Sequence, residues 1–273
     1  MSSHTFAAAV VPRGATRPGL ATRALRSRAA RWISPLLLLV IWQLASASGL
    51  LSPKNLAAPT EILSTAWDLT KSGDLPQALL VSLRRATLGL LLGVGVAVAL
   101  GSLAGTSRAG DALVDPPMQM IRTLPLFGLV PLFILWFGIG ETSKIALVAL
   151  GVMIPLYLNL VAALRGIDRD LYDVAATVRL TRAERVRHIL LPGALPGALV
   201  GLRQSLGVAW LALVVAEQVN ASSGLGFLIN NARDFLQTDV IVVGLLAYAV
   251  LGLITDALVR RLERRALAWR EDA

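Results

Sequence analysis

The sequence predicts an all-α membrane protein, a polytopic bundle of about six transmembrane helices with one cytoplasmic loop that is longer than the others. The 273 residues are 55% hydrophobic and only 16% charged, with a mean hydropathy of +0.67. In a soluble domain, by comparison, about a quarter of the residues are charged. The apolar residues also gather in runs of about 20, the length at which a helix crosses roughly 30 Å of hydrocarbon.

Six apolar runs are the predicted spans. They are continuous, whereas the strands of a membrane barrel would alternate in segments of about ten residues. Glycines in the second run would weaken a helix in water, but small residues let helices approach closely in a bilayer. The predicted spans are residues 33–51, 79–104, 117–138, 143–164, 194–219 and 239–259. They form a transmembrane domain over 33–260, between a disordered basic tail (1–32) and a C-terminal tail (261–273).

The first span has a second interpretation. Arg31 precedes an apolar run that ends in Ala45-Ser46-Ala47, a pattern also typical of a secretory signal peptide with its cleavage site. Because five more apolar runs follow, an uncleaved anchor is favoured.

The distribution of lysine and arginine predicts the orientation. Of 26 basic residues, the N-terminal tail holds six, the loop after the second span one, the loop between the fourth and fifth spans six, and the segment after the sixth span (260–273) five. Because cytoplasmic segments carry the excess of basic residues, these segments and both termini are predicted to be cytoplasmic. In so apolar a chain the net charge of +9 indicates that the basic residues anchor the protein to lipid at the cytoplasmic face of the membrane. Binding of nucleic acid is not expected.

Several kinds of chemistry are missing from the sequence. It has no cysteine, its two histidines are far apart, and no lysine follows a glycine, so a metal cluster or a phosphate-binding loop is not expected. Glu217 and Asp256 lie toward span ends, whereas ion-driven carriers keep carboxylates at mid-membrane. We therefore predict a non-enzymatic conduit that binds no cofactor and is driven by a partner. An autonomous channel or ion-driven carrier is the first alternative, and a membrane-embedded enzyme the second.

The loop between the fourth and fifth spans is predicted to form two short helices. The first, DRDLYDVAATV (168–178), has acids in its early turns, where the helix dipole favours them. The second begins with a Thr-x-x-Glu capping box at Thr181 and Glu184. Pro192 is expected to prevent simple continuation of this helix, so that LPGALP (191–196) ends it and returns the chain to the bilayer. Alternatively, the arginines of the loop form only a solvated basic face.

This loop resembles the signature loop of ATP-binding-cassette importer permeases: Glu-Ala-Ala, three residues, Gly, nine residues, then Ile-x-Leu-Pro. The spacing matches, with Asp173 in place of Glu and Arg179 in place of Gly. A non-glycine residue in the left-handed conformation costs about 1–2 kcal/mol, so either the bend survives with strain or the first helix ends differently. The resemblance implies a coupling loop that docks in a groove of an ATPase subunit. The residues carried over are Asp173, Ala175, Arg179, Ile189, Leu191 and Pro192.

Other segments are similar to the permease of aliphatic-sulfonate importers, over roughly residues 32–265. They are IWQL (41–44), APT (58–60), LWFG (135–138), LPGALP (191–196) and NARDFLQTD (231–239). The resemblance implies a multi-pass permease of the bacterial inner membrane that forms a homodimer. Its expected partners are two ATPase subunits, which would hold ATP and Mg, and an extracytoplasmic substrate-binding protein. Permeases for taurine, nitrate or other small anions share most of these segments and remain the alternative substrate classes.

Four polar residues within the spans are candidates for the substrate path: Arg203, Gln204, Asn159 and Arg122. Arg203 lies about 13 Å along the fifth span, and a guanidinium suits the paired oxygens of a sulfonate. The alternative is that Arg203 snorkels or pairs with a buried acid or with helix carbonyls. Single polar residues in spans commonly bridge helices. Snorkelling is favoured for Arg122.

The predicted outward side has two further features. Arg84 and Arg85, at the start of the second span, are expected to anchor at the membrane interface. The loop 220–239 is expected either to contact the substrate-binding protein or to close the outer mouth.

Overall fold

The computed structural model describes residues 30–52, 55–219 and 221–269, with the side chains from residue 33 onward. All regular elements in these ranges are helical. The chain divides into two compact units, Met1–Ser52 and Pro53–Ala273. The described part of the first unit is helix α1 (Ala30–Ala47), which carries exposed leucine and valine side chains. The tail predicted for 1–32 lies outside the described residues except for its last three, which begin α1.

The second unit contains ten α-helices in the described ranges. They are α2 (Pro59–Ser72), α3 (Asp74–Thr106), α4 (Arg108–Ile121), α5 (Val130–Phe137), α6 (Glu141–Arg165), α7 (Arg169–Thr177), α8 (Arg182–Arg185), α9 (Leu191–Gln218), α10 (Leu225–Asp234) and α11 (Thr238–Ala266). A 3₁₀ turn (Leu126–Leu129) precedes α5, and a π-helical turn (Val186–Leu190) joins α8 to α9. α11 continues beyond the predicted sixth span, so the first part of the predicted C-terminal tail is helical; residues 270–273 lie outside the described ranges.

Four helical segments of the described chain are long and apolar enough to cross a membrane: α3, α6, α11 and the continuous helix Arg182–Gln218. Helices α3 and α6 correspond to the second and fourth predicted spans, Arg182–Gln218 to the fifth and α11 to the sixth. Helix α4 with the segment Leu126–Phe137 counts as a fifth if the two are taken as one span. The apolar helix Ile33–Ala47 is shorter than these. It ends at Ala47, whereas the first span was predicted to continue to residue 51. Gly49, with a φ of 77°, turns the chain after the helix.

The third predicted span, 117–138, is not a straight helix, so that prediction was wrong in shape. The two helical segments meet at an angle of 96°. The break contains Leu124-Pro125, and Pro125 is extended, with φ −67° and ψ 119°. Because proline disfavours the helical conformation of the residue before it, helix α4 ends before this dipeptide.

Helix α6 is the centre of the second unit and packs most extensively against α3 and α9. Its side chains Val148, Val152 and Tyr157 are fully buried. The prediction that glycines allow close approach is confirmed at Gly93 of α3, where an added Cβ would lie 2.5 Å from the carbonyl oxygen of Ala149. Small residues therefore set the separation of α3 and α6, as is common for helices in membranes.

The prediction that Pro192 ends the helix was wrong, because the helix continues from Arg182 to Gln218. The π-helical turn explains the continuity. The N–H of Leu191 bonds to the carbonyl oxygen of Val186, five residues back, which shifts the hydrogen-bond register just before the proline. Pro192 then lies in the first turn of α9, where a missing N–H is tolerated.

Candidate functional site

The segment 169–192, here called the coupling segment, contains the first predicted short helix, α7, and the predicted start of the second at Thr181, which confirms these two features; the second helix is not short, because it continues to Gln218. Helix α7 begins at Asp168, whose side chain accepts a hydrogen bond from the N–H of Asp170. Helix α8 begins at Thr181 with the predicted capping box: the Thr181 hydroxyl accepts from the Glu184 N–H, and the Glu184 carboxylate accepts from the Thr181 N–H at 2.7 Å. The box satisfies two backbone donors at the start of the helix.

Arg179, at the position where the signature loop has glycine, adopts the left-handed conformation. The φ of Arg179 is 55°. The N–H of Arg179 bonds to the carbonyl oxygen of Ala176 at 3.1 Å, and the N–H of Leu180 bonds to the carbonyl oxygen of Ala175 at 2.9 Å. These two bonds define a Schellman motif, which is the usual ending of a helix before a left-handed residue. The bend between α7 and α8 is thus preserved with arginine, with a strain of about 1–2 kcal/mol.

The coupling segment exposes an apolar face. Leu171, Val174 and Val178 are exposed and lie on one side of α7, because residues three and four apart are neighbours on a helix. Of the residues carried over from the resemblance, Asp173, Arg179 and Leu191 are exposed, Ile189 and Pro192 are half-buried, and Ala175 is fully buried.

A half-exposed charged group joins α9 to α11; its residues Arg203, Asp256 and Arg260 are called the Asp256 cluster. Nε of Arg203 donates to Oδ1 of Asp256 at 2.9 Å, and Arg260 pairs with the other carboxylate oxygen. The Arg203 side chain is 49% exposed and that of Asp256 32%. Of the alternatives for Arg203, pairing with an acid is the one observed, and this acid is partly exposed. Among the described residues, no group bonds to the two terminal nitrogens of Arg203.

A groove of about 470 Å³ extends from the Asp256 cluster along α9 and α11. Its lining positions recur at intervals of three and four residues on each helix, so each helix contributes one face. Trp210 and Tyr248 contact each other there, nearly edge-on, with ring centroids 6.4 Å apart. The indole N–H of Trp210 donates to the Thr255 hydroxyl at 3.0 Å, so the aromatic wall presents its apolar atoms.

The other candidates for the substrate path are not part of this groove. Asn159 of α6 donates to the side-chain oxygen of Gln204 of α9 at 2.9 Å, which confirms that polar residues bridge helices here. The neighbouring Ser205 is buried and donates to the carbonyl oxygen of Val152 at 2.7 Å. Arg122 is exposed at the C-terminal end of α4, next to the 96° break.

A second charged group is buried except for the side chain of Glu141, which is 57% exposed, and the sequence did not predict this group. Its residues Ser82, Arg85, Glu141, Glu217 and Tyr248 are called the Glu217 cluster. The prediction that Arg85 anchors at the interface was wrong, because its side chain is 1% exposed and pairs with that of Glu217, which is 0% exposed. Arg84 is exposed. An arginine and a glutamate in two different apolar runs were the available signal, since charges within spans usually pair.

Each donor of Arg85 has a partner. Its guanidinium contacts both oxygens of Glu141, at 2.8 and 2.5 Å, one oxygen of Glu217 at 2.7 Å, and the hydroxyl and carbonyl oxygens of Ser223. These contacts use all five N–H groups of an arginine. Such saturation removes the donors that a ligand would need.

Glu217 is equally saturated. Its oxygens accept from the Ser82 hydroxyl at 2.8 Å, from the Tyr248 hydroxyl at 2.7 Å and from the N–H of Gly226 at 2.9 Å. The last bond comes from the first turn of α10, where the helix dipole favours a carboxylate. Gly226 permits it, because an added Cβ would lie 2.4 Å from the Cβ of Glu217. The cluster thus fixes the start of α10 on α3 and α9.

The loop before α10 borders a second cavity. This cavity has a volume of about 450 Å³ and lies between α2, α3, α10 and α11, with Asp74, Gln77 and Asn231 among its lining residues. Ser223 contributes to it and also contacts Arg85, so the buried cluster supports one wall of the cavity.

Known proteins resemble the chain in sequence. The family of binding-protein-dependent transport system inner membrane components matches residues 89–267. The chain belongs to this family. An SsuC protein of Bacillus subtilis (strain 168), named for aliphatic sulfonates transport, is 44% identical over 86% of each chain. Its namesake in Escherichia coli (strain K12) is 45% identical over 89% of this chain and 92% of its own, and the taurine transport permease TauC of the same strain is 34% identical over 90% and 95%.

Solved structures share the fold. A chain of an amino acid ABC transporter crystallised with histidines superposes with a TM-score of 0.61 at 17% identity, over 75% of this chain and 98% of its own. A chain of the inward-facing MetNI methionine ABC transporter gives 0.59 at 21% identity, over 69% and 96%. As a member of the family, the permease is a non-catalytic, multi-pass subunit of the inner membrane that works with an ATPase and a substrate-binding protein.

Proposed function

We propose that this permease carries aliphatic sulfonates across the inner membrane toward the cytoplasm, driven by ATPase subunits that dock on the coupling segment. The bend at Arg179 supports the coupling part of the proposal, because α7 ends in a left-handed residue at the position where the signature loop has glycine. The substrate class rests on the relatives. The two named for aliphatic sulfonates are 44% and 45% identical to this chain, whereas the taurine permease is 34% identical and a nitrate permease of Synechococcus elongatus 29%.

The exposed face of α7 is the proposed ATPase contact. Leu171, Val174 and Val178 leave apolar surface uncovered beside the charged side chains of Asp173 and Arg179. An apolar patch rimmed by charges is typical of a protein interface. Because α8 continues into the long helix of α9, a movement of the docked segment is transmitted directly to a membrane span. The proposed mechanism is alternating access, in which closure of the ATPases rotates the spans.

The proposed topology places the coupling segment and both termini in the cytoplasm. Arg203 lies in the first half of α9 and pairs with Asp256 in the second half of α11, so the two helices are antiparallel. The basic end of α11 is therefore on the same side as the coupling segment, in agreement with the positive-inside rule. Large apolar side chains remain exposed along α3, α5 and α11, which suits contact with lipid and with a second copy in a homodimer.

The test of substrate and energy source is uptake by proteoliposomes that contain the permease, its ATPase and its binding protein. We expect ATP-dependent uptake of a labelled alkanesulfonate, with taurine and nitrate as weaker competitors. Stronger competition by taurine or nitrate would assign the importer to that anion instead. Uptake by the permease alone, without ATP or partners, would identify an autonomous channel or carrier.

The test of coupling uses two substitutions on opposite faces of α7. Val174→Asp places a charge on the exposed apolar face, and we expect it to reduce both ATPase co-purification and uptake. Ala176→Asp is the matched control, because Ala176 is also exposed but lies about 200° around the helix from Val174. Asp173→Ala and Arg179→Ala should also weaken co-purification or uncouple hydrolysis from uptake. Equal effects of the two aspartates, or unchanged uptake in both alanine variants, would contradict docking on this face.

A further inference from the structure

The Asp256 cluster has more positive than negative charge. Arg203 and Arg260 share the single carboxylate of Asp256, so two positive charges and one negative charge leave a net charge of +1. Only Nε of Arg203 is committed to Asp256, and in the described part of the chain its terminal nitrogens have no partner. A guanidinium with open terminal N–H groups is a donor for paired oxygens of an anion.

Beyond this cluster the lining of the groove is mainly apolar. The side chains of Leu206, Trp210, Val214 and Tyr248 line it, and the stripe from Arg203 to Val214 extends about 16 Å along α9. The polar atoms of both aromatic residues are already hydrogen-bonded: Trp210 donates to Thr255, which also lines the groove, and Tyr248 donates to Glu217. The walls therefore favour an aliphatic chain.

We infer that the groove between α9 and α11 is a binding site for alkanesulfonates, with the sulfonate on the terminal nitrogens of Arg203 and the alkyl chain along Trp210 and Tyr248. This inference rests on the proposed function and adds the position and the chain-length preference of the substrate. A sulfonate carries one negative charge, which matches the net charge of the cluster. The volume of about 470 Å³ is within the range of small-molecule sites. Nitrate has no chain to occupy the groove, and taurine would place a charged amine against its apolar wall.

Two glycines allow the groove to be filled without disturbing the fold. Gly207 and Gly252 line the groove, and an added Cβ at either position would meet no atom within 4 Å. A leucine at either position therefore projects into the groove and shortens the space for a chain. Gly95 of α3 also has no atom within 4 Å of an added Cβ and lies outside the groove, so Gly95→Leu is the matched control.

The experiment compares initial uptake of octanesulfonate and ethanesulfonate in proteoliposomes that contain the permease, its ATPase and its binding protein. Gly207→Leu and Gly252→Leu should each lower the ratio of octane- to ethanesulfonate uptake by at least about tenfold, because each methylene that loses its apolar contact contributes roughly a factor of four. Gly95→Leu should leave the wild-type ratio unchanged. Both uptakes are measured in one preparation, so differences in protein yield cancel.

The head of the substrate is tested separately. Arg203→Gln should reduce uptake of both sulfonates while leaving their ratio close to that of the wild type, and Arg203→Lys should restore part of the uptake. Arg165→Gln is the control for loss of a half-exposed arginine, since Arg165 pairs with Asp111 away from the groove. An effect of Arg165→Gln on uptake as large as that of Arg203→Gln would overturn the assignment of the sulfonate group to Arg203.

The outcomes separate this inference from the proposed function. If the wild-type importer takes up neither sulfonate, the proposed function fails. If it takes up both and the two leucine variants keep the wild-type ratio, the proposed function stands and the groove assignment is overturned. The same uptake is measured in phosphatidylcholine vesicles with and without phosphatidylglycerol. If the Arg203→Gln effect requires the anionic lipid, a lipid headgroup occupies the cluster, and this also overturns the inference.

Discussion

The Glu217 and Asp256 clusters both pair arginine with a carboxylate but differ in how completely the donors of the arginine are used. In the Glu217 cluster one arginine contacts two carboxylates, and all five of its N–H groups are bonded. In the Asp256 cluster two arginines share one carboxylate, and the side chain of Arg203 is 49% exposed. A saturated cluster holds helices together, whereas a cluster with open donors can bind an anion. We therefore expect the first to determine stability and the second to determine transport.

The largest expected effect is loss of the buried acid. Glu217→Leu leaves the buried Arg85 without one of its two carboxylates, and breaking a buried ion pair costs about 3–5 kcal/mol of unfolding free energy. Asp256→Leu should cost no more than about 1 kcal/mol, because its partners are half-exposed. The measurement is denaturant unfolding of the detergent-solubilised protein. Equal losses in the two variants would remove the distinction between the clusters.

A smaller effect is expected from crowding the start of α10. In Gly226→Ala the new methyl group would lie 2.4 Å from the Cβ of Glu217, and such overpacking costs about 1–3 kcal/mol. Gly95→Ala places its methyl group in open space and should gain about 0.5–1 kcal/mol, because alanine is the better helix former. Thermal unfolding of both variants gives the comparison. A stable Gly226→Ala protein would show that α10 can shift away from Glu217.

The hydroxyl of Tyr248 tests the same comparison with a single hydrogen bond. Tyr248→Phe removes the donor to the buried Glu217 carboxylate, and a bond to a charged group contributes about 1.5–3 kcal/mol. Thr255→Val removes the acceptor of the Trp210 indole near the Asp256 cluster, a bond between neutral groups that contributes about 0.5–1.5 kcal/mol. Unfolding free energies of the two variants should rank in that order, and the reverse order would contradict the assignment of the buried cluster to stability.

The smallest expected effect lies outside both clusters. Arg179→Gly should stabilise the coupling segment by less than about 1 kcal/mol, because glycine removes the strain of the left-handed conformation but loses more backbone entropy on folding. Leu236 ends α10 with the same backbone, at a φ of 57°, so Leu236→Gly should give a similar gain there. Hydrogen exchange of the α7 and α10 amides measures each gain locally. Faster exchange in α7 of Arg179→Gly would show that the arginine side chain supports the bend.

Much of the fold could be predicted because it depends on local patterns. The apolar runs predicted α3, α6, α9 and α11, and most of the predicted ends lie within a few residues of the observed ones. The capping box at Thr181 was readable because it needs only two side chains three residues apart. The continuation of the helix through Pro192 could not be predicted in this way. It depends on a π-helical turn, which changes the backbone hydrogen-bond register and has no signature in the composition.

The clusters depend on contacts between residues that are far apart in the chain. Arg85 and Glu217 are 132 positions apart, and Arg203 and Asp256 are 53 apart. Whether an arginine in an apolar run reaches lipid headgroups or a buried carboxylate depends on the rotation and depth of its helix, which a single sequence does not contain. The 96° break between α4 and α5 has the same origin, because a proline permits a break but its angle depends on the packing around it.

The order of the residues was sufficient to locate four of the apolar spans and the start of α8, and it predicts a cytoplasmic side, because hydropathy, charge and short motifs act over neighbouring positions. The packed helices then decided which charged groups are saturated and which keep open donors. That division required Gly226 and Tyr248 to meet Glu217, and α9 to lie beside α11 with Arg203 at the end of an apolar groove. These are distances between helices, and they exist only after the helices have packed.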